Sequence, residues 1–140
     1  MDYKVLDYIS DRNVAVVAIT GMSNVIGYKP DLEKILHFAK NVGALTFLDI
    51  AQIPGHYKFD FHGSGFDFAA VSAHKMYGPK GIGALIGKQC SLEKLEPMNL
   101  GGGGIYSIEN KKVTYHTLPN CHEAGTVNVP SIKAWSVACN

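Results

Sequence analysis

The sequence predicts an α/β fold with a mainly parallel sheet and flanking helices. Four short apolar runs, at 14–19, 44–50, 66–73 and 83–87, have the length and composition of buried strands. A helical pattern over 32–43 separates the first two runs. Strand, helix and strand in about 40 residues is typical of a crossover between parallel strands.

The first two strands and their helix have the clearest signals. The run "VAVVAI" (14–19) is mostly β-branched, which predicts a strand buried on both faces. Turn formers in "GMSNVIGYKP" (21–30) predict a loop. Asp31 then precedes the helix as its N-cap and Gly43 ends it. The apolar face of this helix keeps i, i+3, i+4, i+7 spacing through Leu32, Ile35, Leu36 and Ala39.

The second half of the chain has a weaker pattern. Residues 91–98 predict one short helix, 101–104 a flexible glycine loop, and 130–140 the beginning of another helix. We find no internal repeat and no linker. We therefore expect residues 1–140 to form a single unit.

Composition excludes several classes of function. A net charge of +1 with scattered lysines gives no basic surface for nucleic acid, and no apolar run is long enough to span a membrane. Three cysteines without a CxxC pair favour a reduced, cytoplasmic protein. The histidines and cysteines lack zinc-ligand spacing, so we expect no metal.

Polar residues interrupt the apolar pattern where the predicted strands end. Asn24 follows the first strand, Asp49 ends the second, and Ser72, His74 and Lys75 end the third. Ligands of open α/β sheets bind beyond the carboxyl ends of the strands. Taken singly, Asp49 could cap a turn, His74 could belong to the core, and Lys75 could be a surface charge.

The combination of side chains indicates a cofactor site. Strand alternation predicts that Ser72 and His74 point one way and Lys75 the other. Asp49 and Gln52 are close enough in sequence to share one face of a turn. A carboxylate, an amide, phosphate donors and an amine around one crevice match the groups of pyridoxal 5'-phosphate (PLP). Neither a P-loop pattern nor a GxSxG elbow is present.

At these residues the sequence resembles the class V aminotransferase family of PLP-dependent enzymes, most closely its cysteine desulfurase and selenocysteine lyase branch. The segment SxHKxYGPxGIG, whose Lys75 lies 26 residues after the Asp of DxAQ, is the most specific feature. The matching segments are "VAVVAITGMSNVIG" (14–27), "GALTFLDIAQIPGH" (43–56), "FDFAAVSAHKMYGPKGIGALIG" (66–87), "GGGGI" (101–105) and "EAGTVN" (123–128).

The resemblance implies part of the large domain of a fold-type I PLP-dependent transferase. Lys75 would bind the cofactor covalently and act as the catalytic base. Asp49 would pair with the pyridine nitrogen, and Gln52 would bond the phenolate oxygen. Ser72 and His74 would hold the phosphate.

The resemblance also implies a substrate and partners. Asn24 would lie near the phenolate and the carboxylate of a cysteine or selenocysteine substrate. Thr126 would reach a phosphate across a dimer interface, which implies a homodimer. A sulfur-acceptor protein and a role in iron–sulfur cluster assembly follow from the same family.

Some features depart from the family pattern. Gly21 stands where the branch usually has histidine, and Cys121–His122 where it often has Arg-Phe. The family's chains are longer, and their small domain, substrate-binding arginine and nucleophilic cysteine have no counterpart in these residues. We therefore expect the isolated chain to be inactive.

Other functions stay open at the level of sequence. An aminotransferase, a kynureninase-like hydrolase or an epimerase would carry the same Lys75 set. From a different class, the chain could be a non-catalytic α/β fragment that associates through open sheet edges.

Overall fold

A computed structural model describes residues 2–140 and contains a four-stranded sheet in the order β1-β2-β3-β4. The strands are β1 (Val16–Thr20), β2 (Leu45–Asp49), β3 (Phe68–Ser72) and β4 (Gly83–Gly87). The first three are parallel, and β4 runs antiparallel to β3. The predicted α/β class with a mainly parallel sheet is therefore confirmed.

Helices and a separate hairpin surround this sheet. The helices of the described residues are α1 (Val5–Ile9), α2 (Leu32–Asn41), α3 (Phe61–Ser64), α4 (Gln89–Leu92) and α5 (Val129–Ala138). Two single 3₁₀ turns cover Ala73–Lys75 and Asn120–His122. Strands β5 (Ile105–Glu109) and β6 (Lys112–Tyr115) form the hairpin, which the sequence analysis did not predict.

Helix α2 forms where its sequence signals place it. Asp31 caps it, because the Asp31 carboxylate accepts a hydrogen bond from the Lys34 backbone N–H at 3.0 Å. Ile35 and Ala39 on its apolar face are fully buried against the sheet. The helix thus makes the crossover between the parallel strands β1 and β2.

The core is centred on β2 and β3, and the two outer strands are open. Leu48, Phe66 and Ala69 are completely buried in this core. Val16 of β1 is 52% exposed and Leu85 of β4 is 51% exposed. The prediction that residues 14–19 are buried on both faces is wrong, because Val17 and Ile19 on one face of β1 pack against a buried cluster, whereas Val16, Ala18 and Thr20 on the other face are exposed.

One helix in the second half of the chain differs from the prediction. Helix α4 covers Gln89–Leu92 and not 91–98, because Pro97 cannot continue a helix, and Leu95 and Met98 are left exposed. The predicted glycine loop 101–104 bonds to a second segment: the Gly125 N–H donates to the Gly102 carbonyl at 2.6 Å. The "GGGG" and "EAGT" segments therefore lie side by side.

At the amino edge of the sheet, the side chain of Asp67 contacts residues of several elements. Its carboxylate accepts hydrogen bonds from the Thr46 N–H and hydroxyl, both at 2.9 Å, and from the Ser91 hydroxyl at 3.2 Å. The Lys88 ammonium lies 3.4 Å away. Burial raises the pKa of Asp67, but the bonds from Thr46 and the charge of Lys88 outweigh burial and hold the pKa below 3.8.

We expect Asp67→Asn to lower the free energy of unfolding by about 1–3 kcal/mol at pH 7, because an amide cannot accept this set of donors. The folded-state pKa is depressed, so this stabilisation is present above the unfolded pKa and disappears as pH falls through the folded pKa. Urea denaturation at pH 7 and at pH 3 checks both statements. Asp60→Asn is the control, since the Asp60 carboxylate makes no capping bond. An equal loss of unfolding free energy in Asp67→Asn and Asp60→Asn would contradict this role of Asp67. So would a loss in Asp67→Asn that is the same at pH 3 as at pH 7.

Candidate functional site

The connections that carry the predicted site residues emerge at one edge of the sheet. Thr20 is level with Asp49, and Asp49 with Ala70, so the carboxyl ends of β1, β2 and β3 are aligned. Because β4 is antiparallel, its first residue, Gly83, lies opposite Ser72 at the same edge. We call the segments 21–31, 50–60 and 73–78 the edge segments.

Lys75 lies in a tight turn at the end of β3. The strand ends at Ser72, and Ala73–Lys75 form a single 3₁₀ turn. The Ala73 carbonyl accepts hydrogen bonds from the N–H groups of Met76 at 2.8 Å and Gly78 at 2.9 Å. Strand alternation therefore does not set the directions of His74 and Lys75, and that prediction is wrong. Lys75 and Ser72 are half-buried, whereas His74 is exposed.

Two glycines let neighbouring segments approach this turn closely. A side chain at Gly55 would collide with the carbonyl oxygen of Lys75, so only glycine fits there. A Cβ at Gly78 would lie 2.9 Å from Cδ1 of Trp135, which brings α5 onto the turn. The lysine turn is thus packed between the 50–60 segment and α5.

Asp49 caps a turn and still presents a carboxylate at the edge. Its Oδ1 accepts a hydrogen bond from the Ala51 N–H at 2.9 Å, and its backbone carbonyl accepts one from the Gly21 N–H at 2.8 Å. Within residues 2–140, no donor bonds Oδ2 of the exposed Asp49 side chain. Gln52, half-buried, lies in the turn closed by the Ile53 N–H bond to the Ile50 carbonyl at 2.8 Å.

Asn24 lies at the tip of a small turn after β1. The Ser23 hydroxyl accepts bonds from the N–H groups of Val25 and Ile26 at 3.3 and 3.4 Å, and the Gly27 N–H bonds back to the Ser23 carbonyl at 3.1 Å. Asn24 is exposed there. The turn is therefore fixed by its own hydrogen bonds.

Thr126 is the one predicted site residue that belongs neither to an edge segment nor to the strand end that precedes one. It is exposed and follows Gly125, whose φ of +86° is in the left-handed region. In the described part of the chain, no hydrogen bond joins Thr126 to an edge segment. That Thr126 reaches the phosphate of a second subunit stays a prediction.

The described residues contain no group of three or more histidine, cysteine, aspartate or glutamate side chains that could hold a metal ion. No helix in residues 2–140 is long and apolar enough to cross a membrane. The three cysteines are unpaired: Cys90 and Cys139 are exposed, and Cys121 is buried.

The structure adds contacts between edge segments that the sequence analysis missed. The Tyr77 hydroxyl donates to the Gly55 carbonyl at 3.3 Å, and the Lys29 ammonium lies 3.1 Å from the centroid of the Tyr57 ring. The Pro54–Gly55 pair signals a turn, but nothing in the sequence indicates that it meets Lys75. Lys29 and Tyr57 are 28 positions apart, so no local sequence pattern predicts their contact either.

Comparison with known proteins identifies the family. The sequence model described as aminotransferase class-V matches residues 2–140. The chain belongs to the aminotransferase class-V family. The segments that carry the resemblance in sequence all lie within this match, and they include the three strand ends described above.

Several curated class V proteins are similar to this chain. A probable cysteine desulfurase 2 of Mycobacterium leprae is 43% identical over 116 residues, which are 83% of this chain and 28% of that protein. The cysteine desulfurase CsdA of Escherichia coli is 38% identical over 88% of this chain and 31% of CsdA. A putative csd-like protein of Haemophilus influenzae is 35% identical over 94% of this chain and 56% of that protein. The chain thus spans between about a quarter and just over half of these relatives.

Solved structures of cysteine desulfurases have the same fold. The crystal structure of E. coli CsdA in its S-sulfonic acid form superposes on this chain with a TM-score of 0.85 at 38% identity. The superposition covers 89% of this chain and 31% of the CsdA chain. The apo cysteine desulfurase of Thermococcus onnurineus also gives a TM-score of 0.85, at 28% identity over 96% of this chain and 34% of that one. The sheet and its connections are therefore those of a class V enzyme.

Proposed function

We propose that this chain forms the PLP-binding part of a cysteine desulfurase, which converts L-cysteine to L-alanine and an enzyme-bound persulfide sulfur. The observation that carries the proposal is the alignment of Asp49 and the Ser72–Lys75 segment at one sheet edge. The similarity to cysteine desulfurases supports it. In this proposal residues 1–140 belong to the large domain of a fold-type I PLP enzyme.

The chemistry of the donors fits PLP. Lys75 offers a half-buried amine in a turn held by two backbone bonds to Ala73. Asp49 offers a carboxylate whose Oδ2 has no donor in the described part of the chain. When bound, PLP supplies an electron sink for negative charge at the substrate Cα.

Each site residue then has one task. Asp49 would keep the pyridine nitrogen protonated, and the Gln52 amide would donate to the phenolate oxygen. Ser72 and His74 would donate to the phosphate. Lys75 would hold the cofactor through its amine and would accept the α-proton of the substrate. The Asn24 amide, exposed at its turn, would donate near the phenolate and the substrate carboxylate.

The proposal extends to partners and location. Thr126, exposed beside the glycine loop, reaches the phosphate of a neighbouring subunit in a homodimer. The persulfide sulfur passes to an acceptor protein, as supply for iron–sulfur clusters requires. Unpaired cysteines agree with a reduced compartment, and we propose the cytoplasm.

Asp49→Ala tests this function. We expect the exchange of the α-hydrogen of L-alanine with solvent deuterium, measured with PLP added, to fall about 100-fold or more, because a charge that stabilises the developing carbanion is lost. PLP affinity, measured by titration, should fall by a smaller factor, since the phosphate donors remain.

Asp60→Ala is the matched control, because Asp60 is an exposed carboxylate at the far end of the segment that follows Asp49 and makes no capping bond. It should exchange like the wild type. Wild-type exchange in Asp49→Ala, or equal losses in both variants, would contradict the assignment of Asp49.

A further inference from the structure

The three edge segments each bring a different part of the donor set. Segment 21–31 carries Asn24, segment 50–60 carries Gln52, and segment 73–78 carries His74 and Lys75. All three are connections rather than strands, so holding them together costs conformational entropy. Contacts between the segments that exist before a ligand binds reduce that cost at binding.

One such contact joins the first two segments. The Lys29 ammonium lies over the Tyr57 ring, 3.1 Å from its centroid. A lysine cation over the face of a tyrosine ring is attracted by the ring's negative face. Tyr57 is 51% exposed and Lys29 is also exposed, so neither side chain is needed to fill the core. The contact adds to the packing that already holds these segments, because Met22 of the first segment and Ile53 of the second belong to one buried core cluster.

A second contact joins the middle segment to the lysine turn. The Tyr77 hydroxyl donates to the Gly55 carbonyl at 3.3 Å, and Gly55 itself lies against the Lys75 carbonyl. Tyr77 adopts a φ of 62°, a conformation uncommon for non-glycine residues, and is 82% exposed. The 50–60 segment therefore contacts both other edge segments: it contacts 21–31 through Tyr57 and 73–78 through Gly55.

We infer that Lys29 and Tyr57 are positioning residues for the PLP site, an inference that rests on the proposed function. Their cation–π pair holds the Asn24 turn against the Gln52 turn, so that both amides are in place when the cofactor and the substrate carboxylate arrive. The pair touches neither ligand and acts through Asn24 and Gln52. The ligand of the site that the pair supports is PLP, an anionic pyridine aldehyde phosphate, with an amino-acid substrate bound beside it.

The contact itself is tested without PLP. We expect the ε-methylene protons of Lys29 to show an upfield ring-current shift in NMR spectra of the wild-type protein, and to lose it in Tyr57→Leu. Tyr57→Phe should retain the shift, because the ring is kept. A Lys29 signal that is unshifted in the wild type would overturn the inference.

The effect on the site is tested by PLP affinity. Lys29→Met and Tyr57→Leu should each weaken PLP binding about two- to fivefold, the range for an exposed cation–π pair. The double variant should be no weaker than either single variant, because both remove the same contact. Lys29→Arg and Tyr57→Phe should restore most of the affinity, which a loss of bulk alone would not explain.

The matched control is a second cation–π pair outside the edge segments. The Lys34 ammonium lies 4.9 Å from the centroid of the Tyr3 ring, and Lys34 belongs to α2. Lys34→Met should leave PLP affinity unchanged. If wild-type protein binds no PLP, the proposed function and this inference both fail. If it binds PLP and the Lys29 and Tyr57 variants bind equally well, only this inference is overturned.

Discussion

Lys75→Ala is expected to abolish covalent binding of PLP. In the proposed function the primary amine of Lys75 is the nucleophile toward the cofactor's aldehyde carbon, and alanine leaves no group in its place. The visible absorption of covalently bound PLP should be absent from the variant after dialysis. Non-covalent binding through the phosphate donors should persist at reduced affinity. Absorption spectra recorded before and after dialysis distinguish covalent from non-covalent binding of PLP.

Lys80→Ala is the matched control for this variant. Lys80 is an exposed lysine five positions along the same connection between β3 and β4. It should bind PLP like the wild type and keep the visible absorption through dialysis. The same absorption in Lys75→Ala and in the wild type would place the covalent bond on another lysine.

The second large effect concerns sulfur release by the 140-residue chain itself. We expect it to produce alanine and sulfide from cysteine about 10⁵-fold or more slowly than a full-length cysteine desulfurase, because positioning of reacting groups is worth about 7–11 kcal/mol. Desulfuration needs a thiolate at the substrate sulfur and a cation at its carboxylate. The chain's one arginine, Arg12, precedes β1 and so lies at the amino edge, opposite the edge segments.

We expect that none of the three cysteines supplies this thiolate. Cys90 lies in α4, which follows the end of β4 at the amino edge near Asp67. Cys121 is buried, and Cys139 follows the last residue of α5. Alanine and sulfide are measured for the wild type and for Lys75→Ala, with PLP present, to subtract the reaction of free cofactor. Fast turnover that requires Lys75 and one of these cysteines would contradict the expectation.

The sheet could be predicted from sequence because its strands and crossover helix have strong local signals. The run at 83–87 corresponds to β4 without any shift, and Asp31 caps α2 as its position before an apolar stripe indicates. Burial of β1 could not be predicted in the same way. A run of β-branched residues has the same composition whether one face or both faces of the sheet are covered, and helices α1 and α2 cover only the face of β1 that carries Val17 and Ile19.

The sequence predicts which strand ends carry the candidate site. Asp49 and Ser72 interrupt apolar runs, and parallel pairing brings those interruptions to one edge. The direction of Lys75 was not predictable, because the strand gives way to a 3₁₀ turn one residue after Ser72. That turn is closed by local bonds to the Ala73 carbonyl, and Gly55 approaches it closely through a tertiary contact that has no local signal in the sequence.

The central claim is that Lys75 is the residue that holds PLP, and borohydride reduction tests it most directly. Reduction fixes the cofactor to whichever lysine it occupies, and the peptide containing "SAHKMYGPK" (72–80) can then be fragmented in a mass spectrometer. We expect the reduced adduct on Lys75 at one equivalent per chain, with Lys80 in the same peptide unmodified. An adduct on Lys80, or one spread over the surface lysines, would contradict the claim.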